Sequence, residues 1–531
     1  MNIDTKNIAG DLSNDKLMAI GQLVLYEFNL DVSSRSNWET RRANWFKLFS
    51  LVRDPKTFPW VNCSNISIPT VSVACLQFHA RAFEALFNQK DIVKAKWTDA
   101  AAKDSALRVA MYMNYQLTQQ MSEWEEDMDA MLLQLPINGS CFKKTYYDQV
   151  LKRPVSRYIS VDDFIVPYGA RSLADCIRKS HILRLWKHNV EQLIESGHYI
   201  DIGDLTPQQQ ESSQMTMAID AASGLSPVVD DKDIVKIIEQ HRWLELNGVN
   251  EPYIVTVDYL SGRVLRIESL RYEDDNHEMQ ELSFFTHYIF IPNPEGIYGF
   301  GFGHFLEGLA EAIDSITNQL IDAGTLSNLS CGLVNKRSGL KAGDLKFNMA
   351  EYKAVDIASD DIKKAVLPFT FSAPSQVLFN LLSLLQDYAG KLSTVSDSLL
   401  GKVPPSDTTA TTMLAVLEQG LKVFSTIQKR IHRSLRQELH NIFILNSIHL
   451  DEKKYIEVQN SGSDEFMTLT VAKADFMNSV DVIPTADPNI ISKAERLIKA
   501  QQAWQFAQNN PLISQNPQAL YEISREYLRA L

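Results

Sequence analysis

Apolar residues recur at Phe305, Leu309, Ile313, Ile316 and Leu320, a spacing that predicts one apolar face of an α-helix running from His304 to about residue 330. Acids and amides fill much of the remaining surface, at Glu307, Glu311, Asp314, Gln319 and Asp322, and small residues (Ala310, Ala312, Ser315, Ala323) are interleaved with them. The pattern fits a surface helix and a helix approached closely by a neighbouring helix or subunit equally well. A turn-rich lead, FIPNPEGIYGFGFG, precedes it and places glycine at every second position at Gly299, Gly301 and Gly303.

Upstream of this helix the pattern is mixed; downstream it is mostly helical. Residues 15–53 read as helices, and RDPKTFPWVNCSNISIPT reads as loop from its three prolines and its Asn and Ser content, with Trp60 as a plug for a local core. Helices follow over 71–87 and 101–135, the second carrying the acidic run Glu123, Glu125, Glu126, Asp127 and Asp129. Those acids fall on several sides of a helix, whereas a cation needs converging ligands, so they read as a solvated or subunit-facing surface. Alternation predicts strands over Cys141–Tyr147 and Val155–Val161, closed by Asp162 and Asp163 in a turn or capping role. Helix is expected over 171–197, and the polar, Gln-rich stretch 203–231 reads as a mobile connection.

Strands dominate 234–291, with Ser261-Gly262 as the turn of an antiparallel hairpin. Short strands are expected over 340–371, long helices over 376–400 and 410–448, a short β region over 455–482, and helices over 490–507 and 517–531. The fold class expected is α+β, mainly helical with antiparallel β segments.

The helix over 410–448 carries two faces. At about 100° per residue, Lys422, Lys429, Arg433, Arg436 and His440 fall within about 40° of one line, a basic stripe about 27 Å long. Leu417, Leu421, Phe424, Ile431, Leu435, Leu439 and Ile442 occupy another face. The stripe fits a solvated face, salt bridges to a neighbouring subunit, or contact with phosphates.

Composition narrows the class. The 531 residues suffice for about three domains or one elongated subunit, and 45% hydrophobic with 22% charged residues is ordinary globular material. A formal charge of −13 argues against wholesale DNA wrapping but leaves room for a conduit whose acidic wall repels a duplex. Five widely spaced cysteines, with no CxxC pair, read as buried reduced thiols in a reducing cytoplasm. The start of the chain has no signal-peptide pattern, and no window reaches about 18 uninterrupted apolar residues, so no membrane anchor is expected.

Chemistry-bearing motifs are absent. The Gly299-Phe300-Gly301-Phe302-Gly303 run lacks the dinucleotide spacing, since His304 stands where the third glycine belongs. There is no GxxxxGK[ST], HExxH or GxSxG. No catalytic, cofactor-binding or metal-ligating residue is predicted, and the chain does not read as an enzyme.

Four stretches in order carry a resemblance: RDPKTFPWVNCSNISIPT, DDFIVPYGARSLADCIRKSH, PEGIYGFGFGHFLEGLAEAIDSITNQLIDAG and ADPNIISKAERLIKAQQAWQFAQNNPLI. Together the chain resembles the portal proteins of tailed bacteriophages, most closely those of short-tailed phages. The resemblance implies a homo-oligomeric ring, usually of twelve subunits, at one capsid vertex of the virion and assembled in the host cytoplasm. It further implies double-stranded DNA passing through the axis without sequence-specific contacts. Implied partners are the terminase large subunit, head-to-tail adaptor proteins, and the major capsid and scaffolding proteins.

By segment order the implied domains are a wing over 1–245, a clip and approach to the stem over 246–303, a stem helix over 304–330, the rest of the wing over 331–485, and a short helical crown over 486–531. Gly401, Lys402, Val403, Pro404, Pro405, Ser406, Asp407, Thr408 and Thr409 become the tunnel-loop candidates. Glu307, Glu311, Asp314 and Asp322 become stem residues facing channel or neighbour, and the glycine run becomes a flexible link from clip to stem. The alternative reading is a capsid-associated adaptor or scaffold that binds only proteins.

Overall fold

The structure is a computed structural model that describes residues 7–87, 91–203, 205, 214–225, 233–246, 248–273, 278–328, 332–334, 366–368, 373–393, 410–459, 466–477, 479–485 and a few positions beyond 503. Side chains of 332–334, 366–368, 410–423, 456–459 and 466–467 lie outside that description. The fold is α+β and mainly helical, with antiparallel strands.

Helices α1 (Asn14–Ser34), α2 (Ser36–Ser50) and α3 (Thr70–Phe87) open the chain. Strand β1 (Val93–Trp97) leads into α4 (Lys103–Tyr115) and α5 (Glu123–Asn138). The single helix expected over 101–135 is therefore divided. A π-turn over Gln116–Gln120 inserts an extra residue, closed by the Met121 N–H on the Gln116 carbonyl. The buried Gln116 amide pairs reciprocally with that of Asn446, at 3.1 and 2.8 Å, which holds the turn in place. Helix α5 ends where Gly139 turns left-handed, at φ 81°, and donates to the Leu135 carbonyl.

Strands β2 (Ser140–Asp148) and β3 (Arg153–Ile159) form the expected hairpin. After β4 (Phe164–Ile165) comes a correction: the helix expected from 171 is strand β5 (Arg178–Trp186), with only α6 (Lys187–Glu195) helical. Ser180 and Ile182 are buried on one face while Leu183 and Leu185 pack into a separate apolar cluster on the other, so pairing with β6 wins over the local helix propensity. Part of the presumed mobile connection is also helical, as α7 (Gln214–Ser223).

Strands β6 (Ile234–Leu246), β7 (Val249–Asp258) and β8 (Val264–Ser269) complete a five-stranded antiparallel sheet in the order β4-β5-β6-β7-β8. Its β7–β8 turn carries Gly262 at φ 68°, as the Ser261-Gly262 signal predicts. The 245/246 division between wing and clip falls inside the β6–β7 hairpin of this one sheet. Strands β9 (Arg271–Glu273) and β10 (Met279–Glu281) pair with each other, and β11 (Phe285–Ile289) pairs with β2 in a three-stranded sheet, order β11-β2-β3.

Helix α8 (Phe302–Asn328) follows, then the paired β12 (Gly332–Val334) and β13 (Val366–Pro368), then α9 (Gln376–Leu392) and α10 (Ala410–His449). Strands β14 (Lys453–Gln459) and β15 (Phe466–Ala472) pair, and β16 (Val480–Pro484) returns to β1. Helix is expected over 490–507 and 517–531, and the crown is expected over 486–531; almost all of both spans lies outside the described residues.

The principal core runs from Trp45 through Leu135, Leu306 and Leu439 to Val482, so elements from both ends of the chain share it. Helix α10 threads it with Phe424, Ile431, Leu435, Leu439 and Ile442, all buried and all on the face that the periodicity assigns. A second core packs Val24 and Phe28 of α1 on the five-stranded sheet. Trp60 is half-exposed and belongs to no core cluster, against the expectation of a plug. Cys63, Cys75, Cys141 and Cys176 are buried free thiols.

The glycine run is not a flexible link. Gly299, Gly301 and Gly303 pack against the end of α5, and a Cβ on Gly301 would lie 2.5 Å from the Pro136 carbonyl oxygen and 2.7 Å from that of Ile137. Glycine is needed for close backbone approach. Gly301→Ala is therefore expected to destabilise the chain by about 1–3 kcal/mol in chemical denaturation. Gly308→Ala, on α8 with no atom within 4 Å of the added methyl, is expected to stabilise it by about 0.5–1 kcal/mol.

Candidate functional site

Helix α8 buries a polar row. Asp314, Asn318 and Asp322 stand four residues apart and are 2%, 5% and 8% exposed. The extended segment Ser64–Ile68 lies along them. The backbone N–H groups of Ile68, Ile66 and Ser64 donate in turn to Asp314 Oδ1 (2.7 Å), Asn318 Oδ1 (2.8 Å) and Asp322 Oδ1 (2.7 Å). Asn318 Nδ2 returns a bond to the Ile66 carbonyl at 3.0 Å, and the Arg53 guanidinium pairs with Asp314.

The match is metric: four helical residues rise ~6.0 Å and two extended residues ~6.6 Å, so every second N–H meets every fourth side chain. The segment that carries the first stretch of the resemblance is thus bound as a strap on the predicted stem helix.

This arrangement places the four acidic candidates. Asp314 and Asp322 face the strap of their own chain, not open space. Glu307 accepts from Arg41 (2.8 Å) and from Trp45 Nε1 (3.0 Å). Glu311 alone of the four is exposed. Ile313, Ile316 and Leu320 are buried as the spacing predicts and Leu309 is partly buried, whereas Phe305 is exposed and Phe302, Leu306 and Ala310 widen the buried face.

A second buried constellation was not singled out in the sequence. Glu438, on the buried face of α10, accepts from Trp124 Nε1 and Ser156 Oγ, each at 2.7 Å, and from the Tyr288 hydroxyl. Lys143 Nζ lies 2.7 Å from the same carboxylate, and both residues are wholly buried. Burial pushes the Glu438 carboxyl up, but the Lys143 charge and these donors outweigh it and hold it below the usual range. The signal in the sequence was its phase, about 180° from Lys429 on α10.

Between the two sheets, Lys144 Nζ lies 2.6 Å from Glu239 Oε1, which His241 Nε2 approaches at 2.8 Å. Burial and the Lys144 charge outweigh the pull of Glu239 and lower His241 to about 4, and burial lowers the neighbouring His181 to about 3. Asp162 and Asp163, expected in a turn, do close one, and their carboxylates pair with Arg42 and Arg184.

Two features face outward. Helix α9 is covered by α8 on one side, but Val377, Leu381, Leu384, Tyr388 and Leu392 are 72%, 40%, 49%, 50% and 50% exposed. Their i, i+4, i+7, i+11, i+15 spacing makes a continuous apolar seam ~22 Å long. On α10, Lys429, Arg433 and Arg436 are exposed as the stripe predicts, and Arg436 pairs with Asp481 of β16 at 2.5 Å. The Lys422 side chain and the tunnel-loop candidates 401–409 lie outside the described residues.

No protein-family model matches the chain, and no curated protein is similar to it in sequence. Among solved structures, a chain from the virion of a native gene transfer agent (GTA) particle is similar at a TM-score of 0.39 and 8% identity, over 86% of this chain and 90% of that one. A likeness at that level establishes neither a shared fold nor a shared role. No helix among the described residues is long and apolar enough to cross a membrane.

Two outcomes follow from the buried charges. Glu438→Ala leaves Lys143 buried and unpaired and is expected to cost about 3–5 kcal/mol in denaturant unfolding, part of it recovered by adding Lys143→Met. Because His241 releases its proton more readily folded (about 4) than unfolded (6.5), stability is expected to fall as pH drops through that interval, by up to about 3 kcal/mol. The loss is read as a declining denaturation midpoint between pH 6.5 and 4, shallower in His241→Gln.

Proposed function

We propose that the chain is the subunit of a portal. Copies close into a ring at one capsid vertex, DNA passes through the axis during packaging and ejection, and terminase and tail adaptors dock on the assembled ring. The protein carries out no chemistry of its own in this reading; its work is positioning a hole.

The observation that carries the reading is the uncovered seam of α9. A helix apolar on two adjacent faces is stable in water only if both are covered. The α8 side of α9 is covered within the chain, whereas the Val377–Leu392 seam is left open among the described residues. The seam belongs to the helix that packs on the predicted stem and directly precedes the candidate tunnel loop in sequence. A ring closes by repeating one heterologous contact between copies, and an open apolar seam can supply one side of it. The order of the four portal-like stretches supports the same assignment.

Leu384→Glu with Tyr388→Glu places two charges on the seam at exposed positions. The expected outcome is a folded chain, with unchanged far-UV circular dichroism, that sediments as a monomer while the wild type sediments as a large closed oligomer. A variant that assembles as the wild type does would remove the seam from the account.

A further inference from the structure

The basic stripe on α10 is only part of a larger surface. Strands β1 and β16 pair with Lys96 opposite Asp481 and Lys94 opposite Ile483. Residues two apart share a strand face, so Lys94 and Lys96 stand side by side on the outer face of this ribbon, opposite the buried Val93, Val480 and Val482. Arg436 of α10 reaches that outer face through its pair with Asp481, which joins the ribbon to the stripe.

The result is one exposed surface made of Lys94, Lys96, Arg436, Arg433 and Lys429. Asp481 stands at its centre as the partner of Arg436, and the exposed Gln437 beside them carries no charge. Lys94, Lys96, Lys429 and Arg433 have no ion-pair partner among the described residues. Arg430 beside them donates to the Phe290 carbonyl at 2.7 Å.

We propose that this composite face binds the phosphate backbone of double-stranded DNA without reading its sequence. Four cations without an ion-pair partner among the described residues, in a chain of net charge −13, set a local positive potential. Its cations lie ~4.5–6.6 Å apart along the helix and along the strand, so several adjacent phosphates are contacted at once. Three of the four cations without an ion-pair partner are lysines, which act as point charges, and Arg436 is held by Asp481, so the contact is dominated by charge. The choice of duplex DNA rests on the portal reading; the polyanion chemistry rests on the face itself.

The test is the salt dependence of binding to a short blunt duplex of mixed sequence, followed by fluorescence anisotropy. Each phosphate neutralised contributes about −0.9 to the slope of log K against log salt. Lys94→Gln, Lys96→Gln, Lys429→Gln and Arg433→Gln together are expected to flatten that slope by roughly 3 to 4 and to weaken low-salt binding at least about tenfold.

The control removes four exposed lysines elsewhere, with Lys16→Gln, Lys56→Gln, Lys152→Gln and Lys453→Gln, and is expected to keep the wild-type slope. An unchanged slope in the first variant overturns the proposal, as does an equal loss in the control, which would make the effect one of bulk charge. Loss of assembly with DNA affinity intact also overturns it and makes the face a contact between copies. Sedimentation of the same wild-type sample decides the portal reading separately: a monomer whose slope still depends on the four cations keeps this inference and removes that reading.

Discussion

The buried carboxylate of Glu438 is the constraint on which the rest of the chain depends. It sits in the C-terminal third of α10 and gathers a cation from β2, an indole N–H from α5, a hydroxyl from β3 and a phenol from β11. Removing one charge from such a pair strands the other in a medium that cannot solvate it. Register is thereby fixed for five elements drawn from residues 123 to 449. Apolar packing alone tolerates sliding along a helix; one carboxylate with four directed partners does not.

With α10 held, the N-terminal third and α8 are joined by the strap. The polar row Asp314, Asn318 and Asp322 gives an extended segment the hydrogen bonds that a neighbouring strand would otherwise supply. The glycine run lets the same helix begin directly against the end of α5. Together they fix α8 in the chain, so Glu307, Asp314 and Asp322 serve its own chain, and the outward features are the apolar seam of α9 and the composite basic face. One suits a second copy and the other a polyanion, and a conduit needs both.

Much of this architecture was legible in periodicity. The buried face of α10, the hairpins and the α+β class follow from alternation and from turn residues such as Gly262. Three things were not. Asp314 and Asp322 are indistinguishable in sequence from solvated acids, because their partners are backbone N–H groups about 250 residues away. Arg178–Trp186 carries enough charge to look like a surface helix, and only its pairing with β6 makes it a strand. Lys94 and Lys96 join the α10 stripe through an antiparallel pairing of β1 with β16 that spans most of the chain, a contact that no local pattern announces.

The central claim is that copies of this chain surround a hole. Averaged electron-microscope images of the purified full-length protein test it most directly. The account predicts a closed ring of uniform symmetry with an axial opening wide enough to pass a DNA duplex. A population of single subunits or of closed dimers without an opening, at concentrations where the seam of α9 should be covered, would contradict it.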